Sequence, residues 1–280
     1  MAKDDATLMT DREFLRTSQY RTDRNLAARQ SIYRFQRPPV NLPAAVLGLA
    51  GLTGAEVVAD VGCGNGIYLA ELGRRGHRGP VIGIDLSTGM LQAARAKVAD
   101  SKAADSGGRT GLAAGDAAAL PLPDGAADVT LAPHMLYHVP DRLAAARELR
   151  RVTRDDGQLL VVLNGADHLA ELRDLVTGAA AELGLGDVAW AGNAGITGGF
   201  SLDDGEETLA GVFSAVRRHD FHATLEVPGP EPVLEYVASM RYAQSLDEPD
   251  RLVAAAARLL RPDAGGIVRI RTWVGCLVCR

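Results

Sequence analysis

The sequence predicts an α/β fold: a doubly wound, mostly parallel sheet of seven strands with helices on both faces. Between residues 42 and 163, short apolar runs alternate with helical segments, and such alternation is typical of βαβ units. A glycine-rich turn, Gly62–Gly66, follows the first run, and Asp85 and Asp116 close the next two. In folds of this kind the ligand site lies at the carboxyl ends of the strands.

Five strands are expected in this first part of the chain. Each is a short apolar run, as is typical of strands buried within a parallel sheet. The expected strands are Glu56–Val61, Pro80–Asp85, Leu112–Asp116, Ala127–Ala132 and Gln158–Leu163, with helices at 68–75, 88–99 and 141–152.

After Asn164 the alternation of strand and helix ends. Helical spacing runs from Leu169 to Leu183, and the glycine-rich stretch 192–199 is expected to be a loop. Strands around 216–227 and 267–279, with helices between them, complete a seven-stranded sheet. We therefore expect one domain, 1–280, which comprises an N-terminal lid arm (1–40), a ligand-binding core (41–164), a lid insertion (165–210) and the C-terminal part of the sheet (211–280).

The composition excludes several classes of protein. The chain has 280 residues, 47% of them hydrophobic, so it can bury a sizeable core and is not expected to be disordered. Its apolar runs are too short to span a bilayer. Its first residues do not resemble a signal peptide, so a cytoplasmic protein without membrane insertion is expected. The formal net charge of −5 argues against a nucleic-acid partner.

Three cysteines, Cys63, Cys276 and Cys279, are too few for a disulfide scaffold. The last two form a C-x-x-C pair, but the chain has no second pair to complete the four ligands of a zinc site. On an extended strand, residues three apart point to opposite faces. We therefore expect this pair to be structural.

The segment Asp60–Gly66, Asp-Val-Gly-Cys-Gly-Asn-Gly, joins the first strand to a helix. Glycine allows the backbone to approach a ligand closely. The dinucleotide pattern G-x-G-x-x-G is not met, because Ile67 stands at its third glycine, and no G-K-[ST] is present for a P-loop. The carboxylate of Asp60 disfavours a pyrophosphate and suits a ligand whose nearest part is cationic.

This pattern, D-x-G-x-G-x-G, closely resembles motif I of the class I methyltransferases that use S-adenosylmethionine, which carries an ammonium and a sulfonium but no phosphate. The resemblance covers about 57–163 and is nearest to the branch of ubiquinone and menaquinone C-methyltransferases and many natural-product methyltransferases. It implies a Rossmann-like methyltransferase fold with a helical lid. Further family landmarks follow in order at Gly115–Ala117, Leu120–Val129, Leu136–Val139 and Asp156–Gly157.

The resemblance also implies the contacts of the cofactor. Asp85 is expected to accept hydrogen bonds from both ribose hydroxyls, and Asp116 to meet the adenine amino group. Taken singly, these carboxylates are also explained by a helix cap and a turn. The expected cofactor-binding residues are Asp60, Gly62, Gly64, Asp85, Leu86, Met90, Asp116, Ala117, Ala132, Tyr20 and Arg29.

Three residues of the N-terminal arm have two interpretations each. Tyr20 and Tyr33 either close over cofactor and substrate or simply pack, and Arg29 either meets the cofactor's carboxylate or has a structural role. No metal site is expected, because Ala132 and Pro133 stand where a catechol-type enzyme of this fold offers carboxylate ligands.

Two histidines follow the fourth strand, where the fold brings residues up to the transferred methyl. His134 is a candidate general base, because an imidazole can deprotonate a phenol, hydroxyl or amine. His138 is a weaker candidate, aligned with a position that supports the site. Each is also explained as a structural histidine.

The sequence therefore predicts a methyltransferase of the EC 2.1.1 class that acts on an O, N or C nucleophile of a small-molecule acceptor, and we expect its role to lie in secondary metabolism, the biosynthesis of natural products. Two alternatives stay open: another transferase of the same fold, such as an aminopropyltransferase, and a non-catalytic protein that binds the cofactor or acts as a scaffold. A homodimer is compatible with the sequence.

Overall fold

The computed structural model describes residues 10–100, 109–185 and 199–280. Within them, one sheet has the strand order β1–β7–β8–β6–β5–β2–β3–β4. Its strands are β1 (Gln36–Arg37), β2 (Val58–Val61), β3 (Val81–Asp85), β4 (Thr110–Ala114), β5 (Ala127–Pro133), β6 (Thr153–Asn164), β7 (Val216–Pro228) and β8 (Ile267–Cys279).

Helices cover the sheet, and several begin at side chains suited to capping. Asn41 and Asp141 each accept a hydrogen bond from a backbone amide in the first turn of the helix that follows. No helix in the described ranges is long and apolar enough to cross a membrane. The α-helices of five or more residues in the described ranges are α1 (Arg24–Ser31), α2 (Leu42–Leu49), α3 (Ile67–Arg74), α4 (Thr88–Asp100), α5 (Arg142–Val152), α6 (Ala170–Glu182), α7 (Leu202–Ala210), α8 (Glu231–Ser239), α9 (Arg241–Ser245) and α10 (Pro249–Leu259).

The centre of the sheet is parallel and buried. β2 pairs with β3 on one side and with β5 on the other, and β4 and β6 continue the parallel pairing outwards. All four residues of β2 are buried, as expected for a strand with helices on both faces. The chain turns to opposite sides of β2 in its two halves, so a crevice for ligands opens at the carboxyl ends of β2 and β5.

Two long antiparallel strands extend the sheet beyond β6. β8 pairs with β6 through residues 274–279 and with β7 along its whole length. The half of this hairpin that extends past β6 packs on α6, α8 and α10 in an apolar cluster that includes Leu172, Val237 and Ile270. The C-terminal part of the chain therefore has a hydrophobic layer of its own.

The doubly wound fold class is confirmed, but the sheet contains an eighth strand that the sequence did not indicate. β1, Gln36–Arg37, pairs antiparallel with β7 at Thr224 and Leu225. Two residues are too few to show the alternation by which a strand is recognised. This pairing fixes the end of the N-terminal arm to the edge of the sheet. The predicted loop at 192–199 lies, except for Gly199, outside the described residues.

All three cysteines are buried as free thiols. Cys276 and Cys279 belong to apolar clusters on opposite faces of the sheet, as the spacing of three residues predicts. Burial raises the pKa of both thiols to about 12 and that of Cys63 still further. The C-x-x-C pair is therefore structural.

Candidate functional site

A cavity of about 770 Å³ lies at the carboxyl ends of the parallel strands. At one end it is lined by the turn after β2 and by residues that follow β3 and β4, among them Asp85 and Asp116. It passes His134 after β5 and reaches Phe221 of β7 and Val274 of β8. The cavity therefore spans the crevice that the topology predicts.

The glycine loop connects β2 to α3 at this crevice. Gly62, Gly64 and Gly66 have φ values of 69°, 54° and 78°, in the left-handed region that favours glycine. A Cβ at Gly62 would lie 2.6 Å from the Cβ of Met135, so a side chain does not fit there. The amide of Gly62 donates to the carbonyl oxygen of Ile84 over 2.7 Å, which fastens the loop to β3.

Asp85 is the last residue of β3, and its carboxylate binds both the glycine loop and the turn that follows β3. Its Oδ2 accepts a hydrogen bond from the amide of Gly64, and its Oδ1 accepts one from the amide of Ser87, both over 2.8 Å. Burial nevertheless raises the pKa of Asp85. Each carboxylate oxygen can accept more than one hydrogen bond, so Asp85 retains acceptor capacity for a ligand in the cavity.

Asp60, in β2, immediately precedes the glycine loop. Its side chain is fully buried, and neither carboxylate oxygen has a hydrogen-bond partner in the described part of the chain. Burial above all, and then the charge of Asp85, raise the pKa of Asp60 to about 8. A buried carboxyl without a partner is unfavourable, and a cationic group bound nearby would stabilise its ionised form.

The remaining expected cofactor residues of the core differ in their placement. Leu86, Met90, Asp116 and Ala117 line the cavity. Met90 is buried, whereas Leu86 is 36% exposed. Asp60 and Ala132 are fully buried within β2 and β5 and are not among the residues that line the cavity, so neither makes the direct contact that was expected. Among the described residues, no cluster of three or more histidine, cysteine or acidic side chains is suited to holding a metal ion.

The N-terminal arm packs against the loops that carry these residues. Arg12 forms an ion pair with Asp116 over 2.8 Å. The hydroxyl of Ser87 donates to the backbone oxygen of Tyr20 over 2.6 Å. The arm is therefore docked beside the expected adenine and ribose positions.

Tyr20 and Arg29 lie together in this arm and both line the cavity. The Tyr20 hydroxyl lies 3.0 Å from Nε2 of His138. The guanidinium of Arg29 lies 5.7 Å from the centre of the Tyr20 ring and donates to the backbone oxygen of Ser239 over 2.8 Å. Arg29 thus supplies positive charge to the cavity while its position is fixed by α8.

His134 and His138 occupy different environments after β5. His134 has a φ of 55° and lines the cavity, and its backbone amide donates a hydrogen bond to the backbone oxygen of Val162. Burial lowers the pKa of His134 to about 4, so its imidazole is neutral near pH 7. His138 also lines the cavity, but its Nε2 is engaged by Tyr20. His134 is therefore the histidine better placed to take a proton.

A second pair at the far end of the cavity consists of Tyr33 and His168. The Tyr33 hydroxyl lies 3.0 Å from Nε2 of His168, and Nδ1 of His168 accepts a hydrogen bond from the backbone amide of Trp273 over 3.1 Å. Tyr33 was a candidate in the sequence, but His168 was not. These two residues are 135 positions apart, and no local pattern connects them.

The parallel core, the glycine loop and the acidic residues at the strand ends are the features expected from the resemblance to class I S-adenosylmethionine-dependent methyltransferases. Residues 59–161 match a family model described as a methyltransferase domain. The class predicted from the loop and its following landmarks is thereby confirmed, and S-adenosylmethionine is the cofactor of this class.

Three similar proteins illustrate the relationship. Malonyl-(acyl-carrier protein) O-methyltransferase of Serratia marcescens is 34% identical over 129 residues, 46% of each chain. Nocamycin O-methyltransferase of Saccharothrix syringae is 29% identical over 221 residues, 72% of this chain and 75% of that protein. The solved structure of the (4+2)-cyclase SpnF has a TM-score of 0.51 at 17% identity, covering 85% of this chain and 79% of that one.

These similarities differ in what they show. The chain spans about half the length of several curated relatives that it matches. At 17% identity, the likeness to SpnF shows a shared fold alone. The comparisons therefore assign a methyltransferase domain to residues 59–161.

Proposed function

We propose that this chain transfers the methyl group of S-adenosylmethionine to an oxygen, nitrogen or carbon nucleophile of a small organic acceptor. The observation that carries the proposal is the carboxyl of Asp60, buried without a partner beside a loop in which Gly62 has no room for a side chain. A cationic ligand would stabilise the ionised carboxylate of Asp60, whereas a ligand whose nearest group is a phosphate would be repelled by it.

The residues present fit the cofactor. Asp85 has acceptor capacity for the ribose hydroxyls, and Asp116 lines the cavity where the adenine amino group is expected. Arg29 supplies the positive charge that the cofactor's carboxylate requires, and Tyr20 lies beside it. In this proposal residues 41–164 bind the cofactor, and the arm 1–40 and the segment 165–210 cover the site.

When bound, S-adenosylmethionine supplies a methyl group on a positively charged sulfur, which leaves with the bonding electron pair. Because such a donor is already activated, the protein has mainly to hold the acceptor at attack distance in a site that excludes water. His134 takes the acceptor's proton where the nucleophile must lose one, and passes it to solvent. Its neutral form near pH 7 is the form that this role requires.

Other functions make different predictions for the same site. An aminopropyltransferase needs a carboxylate near the amine that it alkylates, and β5 ends instead in Leu131-Ala-Pro133. A non-catalytic protein would bind the cofactor without turnover.

The likeness to SpnF indicates that this fold also occurs in a cyclase. The similarity to nocamycin O-methyltransferase supports methyl transfer in natural-product biosynthesis.

The first test is the affinity for S-adenosylmethionine and S-adenosylhomocysteine, measured by calorimetry on the wild type and on Asp85→Ala. A carboxylate that holds two hydroxyls contributes roughly 1.5–3 kcal/mol, so the variant should bind about ten- to a hundredfold more weakly. The melting temperature of the variant serves as the control for folding. An unchanged affinity would remove the cofactor assignment.

Mass spectrometry of small molecules released when the purified protein is denatured complements this test. Co-purified S-adenosylhomocysteine is expected, and a second mass would identify the acceptor. Cofactor binding without formation of S-adenosylhomocysteine in the presence of that acceptor would favour the non-catalytic alternative.

A further inference from the structure

The hydrogen bonds around His168 determine where its proton lies. Its Nδ1 accepts from the backbone amide of Trp273, so Nδ1 carries no hydrogen. Burial, and then the neighbouring His134, lower the pKa of His168 to about 3, so the ring is neutral. A neutral imidazole has one N–H, which must then be at Nε2. Nε2 therefore donates to the oxygen of Tyr33 over 3.0 Å.

This arrangement leaves the hydroxyl proton of Tyr33 without an acceptor. The oxygen of Tyr33 receives the hydrogen bond from His168, and the described residues give the hydroxyl no second partner. Tyr33 and His168 both line the cavity, to which β7 and β8 contribute the apolar side chains Phe221 and Val274. A phenol hydroxyl placed in this way can donate to an acceptor oxygen of a ligand in the cavity.

The position in the sheet distinguishes this end of the cavity from the cofactor end. The glycine loop, Asp85 and Asp116 follow β2, β3 and β4, whereas His168 follows β6 and is held by β8. His134, at the end of β5, lies between the two groups. Tyr33 therefore lies on the side of His134 that is opposite to the expected cofactor.

The charge at this end indicates what it accepts. The positive charge of Arg29 acts on both Tyr33 and Tyr236. No carboxylate is contributed by the residues of β5 to β8 that line the cavity in the described part of the chain. With Arg29 paired to the cofactor's carboxylate, this end of the cavity offers a protonated amine no counter-ion, whereas an oxygen that can accept the hydrogen bond of Tyr33 is favoured.

We infer that Tyr33 donates a hydrogen bond to an oxygen of the methyl acceptor, and that the acceptor carries an O–H nucleophile together with this second oxygen and no cationic group. The inference rests on the proposed methyl transfer. The oxygen of the acceptor's O–H group bonds to the methyl carbon as the carbon–sulfur bond breaks. His134 takes the proton that this O–H group loses. His168 is a positioning residue, because it directs the Tyr33 proton into the cavity.

The test compares two phenols of similar size, 3′-hydroxyacetophenone and 3-ethylphenol, of which only the first has a carbonyl oxygen. Their affinities are measured by NMR titration of the protein saturated with S-adenosylhomocysteine. One neutral hydrogen bond corresponds to about a three- to tenfold preference for the carbonyl compound. Tyr33→Phe should abolish this preference, and 3-hydroxybenzylamine should not bind measurably.

Further variants separate the hydrogen bond from general effects on the cavity. Tyr68→Phe is the matched control, because it removes the hydroxyl of another cavity-lining tyrosine, whose oxygen is buried near Asp60 and has no hydrogen-bond partner in the described part of the chain. It should retain the preference. His168→Leu should lose it and His168→Gln should restore part of it, since an amide N–H can still donate to Tyr33. The 15N shifts of the His168 ring should show the Nε2–H tautomer.

The outcomes distinguish this inference from the function on which it rests. Failure of S-adenosylhomocysteine to bind would overturn the proposed function. If it binds while the two probes have equal affinities, or bind not at all, or keep their difference in Tyr33→Phe, the inference about the acceptor is wrong and methyl transfer stands. Tight binding of the amine would also overturn it.

Discussion

Asp60 is a group whose charge should depend on whether the site is filled. Its raised pKa of about 8 means that the carboxyl is mostly protonated in the free protein near pH 7. A bound cation stabilises the ionised form, so binding should release a proton. We expect the affinity for S-adenosylmethionine to rise with pH up to about 8 and then level off. Calorimetry in two buffers of different ionisation enthalpy measures the proton release.

Asp60→Asn should flatten this dependence, because the amide does not titrate. Glu56 serves as the control: its pKa is already lowered to about 2, chiefly by hydrogen bonds around Thr53 that outweigh burial, so Glu56→Gln should leave the slope unchanged. A slope that persists in Asp60→Asn would assign the proton to another group.

The roles of His134 and His138 can be separated by measuring kcat and its pH dependence in variants of each histidine. If His134 takes the acceptor's proton, His134→Gln should lower kcat by about 10²–10⁴-fold and leave the cofactor affinity unchanged. Because burial lowers its pKa to about 4, the base is neutral above that value. The rate should therefore fall only as the pH approaches about 4, well below the ordinary histidine range.

His138→Gln should cost stability more than rate, because Nε2 of His138 is hydrogen-bonded to Tyr20 of the docked arm. The opposite pattern would transfer the role of base to His138. If neither variant changes kcat by more than a few-fold, the acceptor arrives already nucleophilic.

At the scale of elements, the docked N-terminal arm leads to a further prediction. A Cβ added at Gly89 in α4 would lie 1.9 Å from the backbone oxygen of Arg21. Gly89→Ala should therefore displace the arm, increase hydrogen exchange in residues 10–37 and weaken binding of S-adenosylhomocysteine several-fold. Gly48→Ala in α2 is the matched control, because nothing lies within 4 Å of the added Cβ.

Hydrogen exchange also tests whether the arm is a lid. Exchange in the arm should slow when S-adenosylhomocysteine binds to the wild type. If the arm is fully protected without ligand, and Gly89→Ala binds the ligand as well as Gly48→Ala does, the arm is fixed structure and the lid proposal fails.

The elements that could be predicted from sequence are those with a local signal. β2 and β3 are continuous apolar runs, and the glycines after β2 mark a turn that few other residues can form. β1 has no such signal, because its two residues are strand only through pairing with β7. The Tyr33–His168 contact likewise depends on the tertiary fold, since the arm and the segment after β6 meet only when the sheet is complete.

For the molecule as a whole, buried titratable groups define a pH of maximal stability. His134 and His168 have pKa values of about 4 and about 3, so below about pH 6.5 the unfolded chain binds protons that the folded chain does not. The free energy of unfolding should fall as the pH drops through this range. Asp60 acts in the opposite direction: it keeps its proton up to about pH 8 only when folded, so stability should also fall towards that pH.

Burial also raises the pKa of Asp85, which therefore acts in the same direction as Asp60. Between the pKa of Asp85 and about pH 6.5 the two histidines outweigh Asp60 alone, so these groups place the maximum near pH 6.5. Urea denaturation from pH 5 to 8.5 measures the curve. Asp60→Asn should remove the decline on the alkaline side and steepen the fall on the acidic side, where Asp60 opposes the two histidines. A stability that keeps rising through pH 8 in the wild type would contradict this account.

The buried thiols give the molecule internal reporters of its own motions. A thiol is modified only when its surroundings open, and the raised pKa values keep each one mostly protonated until then. Cys63 lies in the glycine loop, whereas Cys276 and Cys279 lie in the strand that joins the parallel core to the outer hairpin. The rate at which a small disulfide reagent labels Cys63 therefore reports how often the glycine loop opens. The labelling rates of Cys276 and Cys279 report how often the sheet itself opens.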